Sequence, residues 1–177
     1  MESQIRQNYH RDCEAAVNRM ANMELHASYV YLSMGFYFER DDVALPRLAR
    51  FFREQAREER EHAEGLLRFQ TRRGGRVLLQ DVKVSGLRAG RGAVSSVSGG
   101  RHLPQTLVGS PPSPWLCLIS LFPQLCDFLE SHYLEEQVKA IKALGDHVTN
   151  LRRLTGGTGG TPPGLGEYLF DRLSLEE

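Results

Sequence analysis

Glu24, Glu59 and His62 stand where apolar side chains are expected. Glu24 falls between Met20 and Ala27 on a line of inward residues that runs on through Tyr31, Met34 and Phe38. Gln55, Glu59 and His62 take successive inward slots between Phe52 and Leu66, and Gln137 lies between Tyr133 and Ala140. Carboxylates turned into a helical bundle are costly to desolvate unless a cation offsets the loss of water. No Lys or Arg occupies these lines, so the compensating charge is assigned to a metal held by Glu24, Glu59 and His62. Glu59 and His62 are spaced i and i+3, which sets carboxylate and imidazole on one side of a helix, as in di-metal carboxylate bundles. A mixed oxygen and nitrogen donor set suits Fe(II), with Mn and Zn as competitors. Tyr31, two turns beyond Glu24, is placed to hydrogen-bond a ligand. A lone Glu-x-x-His is common on solvated helices, and the run from Glu58 to Glu64 would by itself make an exposed charged face. The coincidence of Glu24 with Glu59 and His62 on apolar lines favours the metal. Cys13, His10, His26 and His102 have no such context.

The elements that must carry these residues are long helices. From about Tyr9 to Arg40 apolar residues recur in threes and fours (Val17, Met20, Ala27, Tyr31, Met34, Phe38) with Gly35 as the one breaker. Roughly 30 residues at 1.5 Å each give a rod of about 45 Å. Pro46 opens a second helix in the turn that tolerates it, and Arg72, Arg73 and Gly74-Gly75 close it. A third stripe runs from Leu125 to Leu154, and a Gly/Thr/Pro linker from Thr155 to Gly164 leads to a short terminal helix, Leu165 to about Leu173. Between Val84 and Phe122 there is no Asp, Glu or Lys, and Gly, Ser, Pro and Arg crowd a stretch without period, which predicts an irregular segment over about 84–124. The expected architecture is all-α, a four-helix-type bundle over residues 1–177 in one domain, short of one wall.

With 22 acidic and 22 basic residues in 177, no global field points to nucleic acid or to an anionic membrane surface. The longest apolar run, Trp115 to Phe122, is far below the roughly 20 residues of a spanning helix. Three cysteines without metal or redox spacing, and a first stretch without a basic region and apolar run, predict a cytoplasmic protein.

Asn8-Tyr9-His10, Ala27 to Met34, Arg40-Asp41-Asp42-Val43-Ala44-Leu45, Glu58 to Glu64, Leu125 to Glu130 and Glu136 to Lys142 resemble the heavy, iron-oxidising type of vertebrate ferritin, over about Gln4 to Lys83 and Leu125 to Leu173. The resemblance implies a four-helix bundle with a short fifth helix, assembled with other ferritin subunits into a hollow shell of 24 that stores iron as ferric mineral. It implies an oxidation site in which two Fe(II) ions react with dioxygen, with a carboxylate at Glu24, a bridging carboxylate at Glu59, an imidazole at His62, and support from Tyr31, Glu58 and Gln137. It further implies mineral nucleation at Glu58, Glu61 and Glu64, and threefold channels lined by Asp127 and Glu130. The light type would lack Glu24, Glu59 and His62. A bacterial-type di-iron oxygenase would carry a second Glu-x-x-His on the last long helix, where this chain has Glu136-x-x-Lys139.

Two departures accompany the match. Ferritins place a further iron-ligating Glu on the third helix, and no acid stands between Asp81 and Asp127; Leu173 stands where the heavy type has a His near the fourfold axis. The segment from Val84-Ser85, readable as a splice-donor sequence, to the run Leu118 to Gln124, readable as a pyrimidine tract and acceptor, is accounted for as translated intron, and the competing account is a divergent insertion. The expected function is an iron-storing ferroxidase subunit. The alternative is a non-enzymatic, defective splice-variant subunit that co-assembles with intact chains.

Overall fold

A computed structural model describes residues 3–82, 123–155 and 164–175, and every regular element among them is helical. Helix α1, Arg11–Glu39, starts at His10, whose Nδ1 accepts the Asp12 backbone N–H at 3.2 Å, and it carries Asp12 and Glu14 in its first turn, where the helix dipole favours negative charge. A short turn, in which Arg40 clasps Asp42, leads to α2, Pro46–Arg72. Proline costs nothing there because the first N–H groups of a helix have no partner within it. The helix ends through Gly74 at φ +74°, and a side chain at that position would also press on the Arg6 backbone N at 2.9 Å. The expected helices at 9–40 and 46–73 are therefore present to within two residues.

The last long stripe is made of α3, Pro123–Leu129, a π-helical turn over Glu130–Leu134, and α4, Glu135–Thr155. The terminal helix α5 spans Leu165–Leu173 as expected. The described part of α3 already includes Pro123 and Gln124, which corrects the expected end of the irregular segment at 124. The rest of the irregular segment, including the expected loss of the third long helix, lies outside the described residues.

Two apolar clusters share these helices. One joins Val30, Tyr31, Met34 and Phe38 of α1 to Leu48 and Phe52 of α2, Leu144, Val148 and Leu151 of α4 and Phe170 of α5. The other joins Tyr9, Cys13, Val17 and Ala21 to Leu66 and Phe69, Leu125 of α3 and Tyr133 of the π turn. This is the all-α bundle with a short terminal helix that the resemblance implies. Beyond α2, the extended stretch 75–80 lies along α1 without a sheet. Asn18 Nδ2 donates to Arg76 O at 2.9 Å and Asn18 Oδ1 accepts from Leu78 N at 3.0 Å; Asn22 repeats the pattern with Leu78 O and Gln80 N, both at 2.8 Å. Side-chain amides thus take the place of a neighbouring strand. Among the described residues no helix is long and apolar enough to cross a membrane.

Candidate metal centre

Between the two clusters the packing becomes polar. Glu24 from α1 and Glu59 from α2 are 3% and 4% exposed, and His62, one turn beyond Glu59, is partly buried beside them. One donor atom from each of Glu24, Glu59 and His62 lies within 4.8 Å of the others. Leu66 and Phe52, fully buried on α2, turn the intervening Glu59 inward by helical period, and Tyr31 and Ala27 do the same for Glu24 on α1.

The electrostatics mark a site whose carboxylates draw on no Lys or Arg. Burial first, then the hydrogen bond and charge of Glu59, push the Glu24 carboxyl far above the usual carboxylate range, so Glu24 keeps a proton and donates it to Glu59. Burial also pushes Glu59 up, but hydrogen bonds from His62 and Glu24 outweigh it and hold Glu59 ionised. Glu24 Oε2 is buried with no hydrogen-bond partner, and neither carboxylate owes its shift to a Lys or Arg. Burial pulls His62 down, and its bonds to Glu59 and Glu136 more than restore it, so the imidazole titrates above its ordinary value. Two buried carboxylates, an orphaned oxygen and one imidazole match the donor set of a divalent first-row cation, whose charge would take the place of the proton on Glu24.

Tyr31 is fully buried, stacked on Phe52 with ring centroids 6.0 Å apart. Burial, then the charges of Glu59 and Glu24, hold its phenol firmly neutral, which places the hydroxyl in the field of both carboxylates. Gln137 on α4 is buried, and its Oε1 has no protein partner. Glu58 stands apart from the group: its side chain is exposed and accepts from Gln55 Nε2 at 2.8 Å, because one residue along a helix turns a side chain by about 100°. Gln55 is accordingly half-buried, a weaker inward position than the stripe predicts. Glu61 and Glu64 are exposed and paired with arginines of their own helix, Glu61 with Arg57 at 3.8 Å and Glu64 with Arg68 at 2.9 Å. Asp127 and Glu130 are exposed three residues apart at the end of α3.

Two residues at the site have no place in the sequence-based ligand set. Glu136 Oε2 lies 3.0 Å from His62 Nε2, and the Tyr133 hydroxyl donates to the His62 carbonyl at 3.0 Å while its ring meets the imidazole edge-on with centroids 5.1 Å apart. Gly65 leaves room for that hydroxyl, which a side chain there would strike. Tyr133 was visible in the sequence only as a stripe member, and Glu136 only within the matched run Glu136 to Lys142 and in the Glu136-x-x-Lys139 that lacks a second histidine.

A helical bundle with a buried carboxylate and imidazole cluster between two halves of its core is the class that this fold and site define. A family model described as Ferritin-like domain matches residues 14–99. The chain is 52% identical over 182 residues to "Ferritin, middle subunit" of Salmo salar, an alignment that covers 99% of this chain and 98% of the relative. The chain belongs to the ferritin family, whose members bind and store iron as assembled subunits.

Proposed function

We propose that this chain is an iron-storage subunit of the heavy type, which oxidises Fe(II) to Fe(III) with dioxygen and passes the ferric product to mineral inside a shell of ferritin subunits in the cytoplasm. The observation that carries the reading is the convergence of Glu24, Glu59 and His62 within 4.8 Å, with both carboxylates buried and no compensating Lys or Arg. In this reading Fe(II) is the substrate. Glu24 and His62 hold it from opposite helices, Glu59 lies between them and serves as the bridge, Tyr31 and Gln137 support the ligands from the buried side, and Glu58 takes the outer edge. Glu58, Glu61 and Glu64 form an acidic exposed line on α2 suited to ferric nucleation, and Asp127 and Glu130 suit a channel that concentrates cations. Assembly is supported by the outer stripe of α1, where Tyr29, Leu32 and Phe36 are 56%, 41% and 58% exposed at helical spacing, and by Leu78 and Leu79 at 65% and 63%.

The chain has no acid between Asp81 and Asp127, so the ligands named here define one cation position, and a second would depend on water or on Glu58 and Gln137. The proposed origin of the segment that begins at Val84 is retained intron, and a conventional uninterrupted exon in the gene would refute that origin. The functional test is size-exclusion chromatography with light scattering, followed by aerobic Fe(II) oxidation by the wild-type chain and by Glu59→Ala plus His62→Ala. A large shell whose oxidation drops to background in the double variant supports the reading. Equal oxidation by both proteins, or background oxidation by the wild type, refutes it.

A further inference from the structure

The His62–Glu136 contact joins α2 to α4 across 74 residues of sequence. Glu136 is an exposed partner, its side chain 67% accessible against 17% for His62. An ion pair this open to water adds little to stability. Its geometry is nevertheless selective. His62 has Nδ1 turned to Glu59 Oε2 at 3.4 Å and Nε2 turned to Glu136 Oε2 at 3.0 Å. A half-turn of the ring about its bond to the side chain would exchange both nitrogens for carbons and lose both contacts. The other constraints on His62 leave that choice open: Tyr133 bonds only to its backbone carbonyl and meets the ring by an edge contact.

We propose that Glu136 is a positioning residue for the cation site: by accepting Nε2–H it fixes the ring orientation and leaves Nδ1 as the nitrogen that faces Glu59. The inference rests on the reading of Glu24, Glu59 and His62 as a cation site, and adds an acid from a third helix that does not itself bind the metal. When a divalent ion enters, Nδ1 binds it with its lone pair, any proton on Nδ1 leaves to solvent, and Nε2–H stays with Glu136. A carboxylate behind a metal-binding imidazole orients the ring and raises its basicity.

Co(II) is the probe, titrated into metal-free wild-type protein and into Glu136→Ala, Glu136→Gln and Glu59→Ala plus His62→Ala, with visible absorption and calorimetry as readouts. Glu136→Ala is expected to weaken Co(II) binding by about 10- to 100-fold, and Glu136→Gln, which keeps an acceptor for Nε2–H, to restore most of it. Unaltered binding in Glu136→Ala overturns the positioning role, and so does equal loss in the Ala and Gln variants, which would show that the charge of Glu136 acts and not its hold on the ring orientation. If the wild type and the double variant bind Co(II) alike, the underlying site fails instead, and the two failures are thereby distinguished. Thermal melting of each variant serves as the folding control, and a Glu136→Ala protein that does not fold would overturn the role by showing that the pair is structural.

Discussion

Glu24 keeps its proton in the metal-free protein because burial and the neighbouring Glu59 both oppose its ionisation. The consequence for stability has a definite sign. Below the ordinary carboxyl value of 4.5, folded and unfolded chains both hold the proton and the residue carries no penalty. As pH rises above it, the unfolded chain ionises while the folded chain does not, so stability falls until the raised folded value is reached. Glu24→Gln removes that loss and keeps an N–H donor for Glu59. The variant should melt higher than the wild type at neutral pH without metal, by about 2–8 °C if it recovers one or two kcal/mol. Added Co(II) should raise the wild-type midpoint and leave the variant's unmoved; a metal-free variant that melts lower would contradict the protonation assigned to Glu24. Glu24, Glu59 and His62 were legible in the sequence because a charged residue on an apolar line is conspicuous. Glu136 was not, since an acid on the wet side of a helix looks the same whether or not it reaches a histidine on another.

Helix α5 is fastened by groups that local pattern does not connect. Phe170 is fully buried, and its ring and that of Phe51 meet His147 of α4 edge-on, with centroids 5.5 and 5.4 Å away. Asp171 Oδ1 accepts the backbone N–H of Leu48 at 2.8 Å, so that α5 caps the first turn of α2 from 123 residues away. The helices themselves could be read from stripes, Pro46 and Gly74, but this cap could not: it is a property of docking, and Asp171 otherwise resembles any polar residue of a short helix. Burial holds His147 below its ordinary value of 6.5, with Asp146 only partly offsetting it. A depressed histidine contributes stability that is fully present above 6.5 and is lost as pH falls from there through the folded value, because the unfolded chain takes up the proton first. In the wild type this loss opposes the gain that the raised Glu24 and His62 give over the same range as pH falls. His147→Phe should therefore show a more favourable change in melting temperature on acidification than the wild type, as followed by circular dichroism across pH 5–8, the range in which histidine charge changes. An unchanged slope in the variant would show that His147 does not contribute to the pH dependence.

At the scale of the whole chain, the core is two apolar clusters with the acidic site between them, and the last long helical run must serve both. Leu125, Leu129, Tyr133 and Gln137 follow one another in steps of four, and each such step drifts by about 40° on a regular α-helix. Three steps carry the inward line about 120° round the axis, which a straight helix would not return to the core. The π turn at Glu130–Leu134 absorbs the slip, so that Leu125 and Tyr133 face one cluster while Leu144, Val148 and Leu151 face the other. The run of fours is present in the sequence, yet the stripe reads as continuous because each step alone is an ordinary helical spacing. Ser131 lies in this turn and is exposed. Ser131→Ala should shift stability by no more than about 0.5 kcal/mol, whereas deletion of Ser131 should cost about 3 kcal/mol or more and abolish Co(II) binding, because one end of the run must turn its apolar side to water. Denaturant unfolding and Co(II) titration of the two proteins check this, and a deletion as mild as the substitution would show that the helix can rewind around the loss. The number of residues between 129 and 137 is thus a trait of this protein in its own right, inherited separately from their chemistry. A lineage can drift in the exposed side chains of the turn, Tyr133 being held by the core and by His62, while a single codon gained or lost there would uncouple the two halves of the bundle.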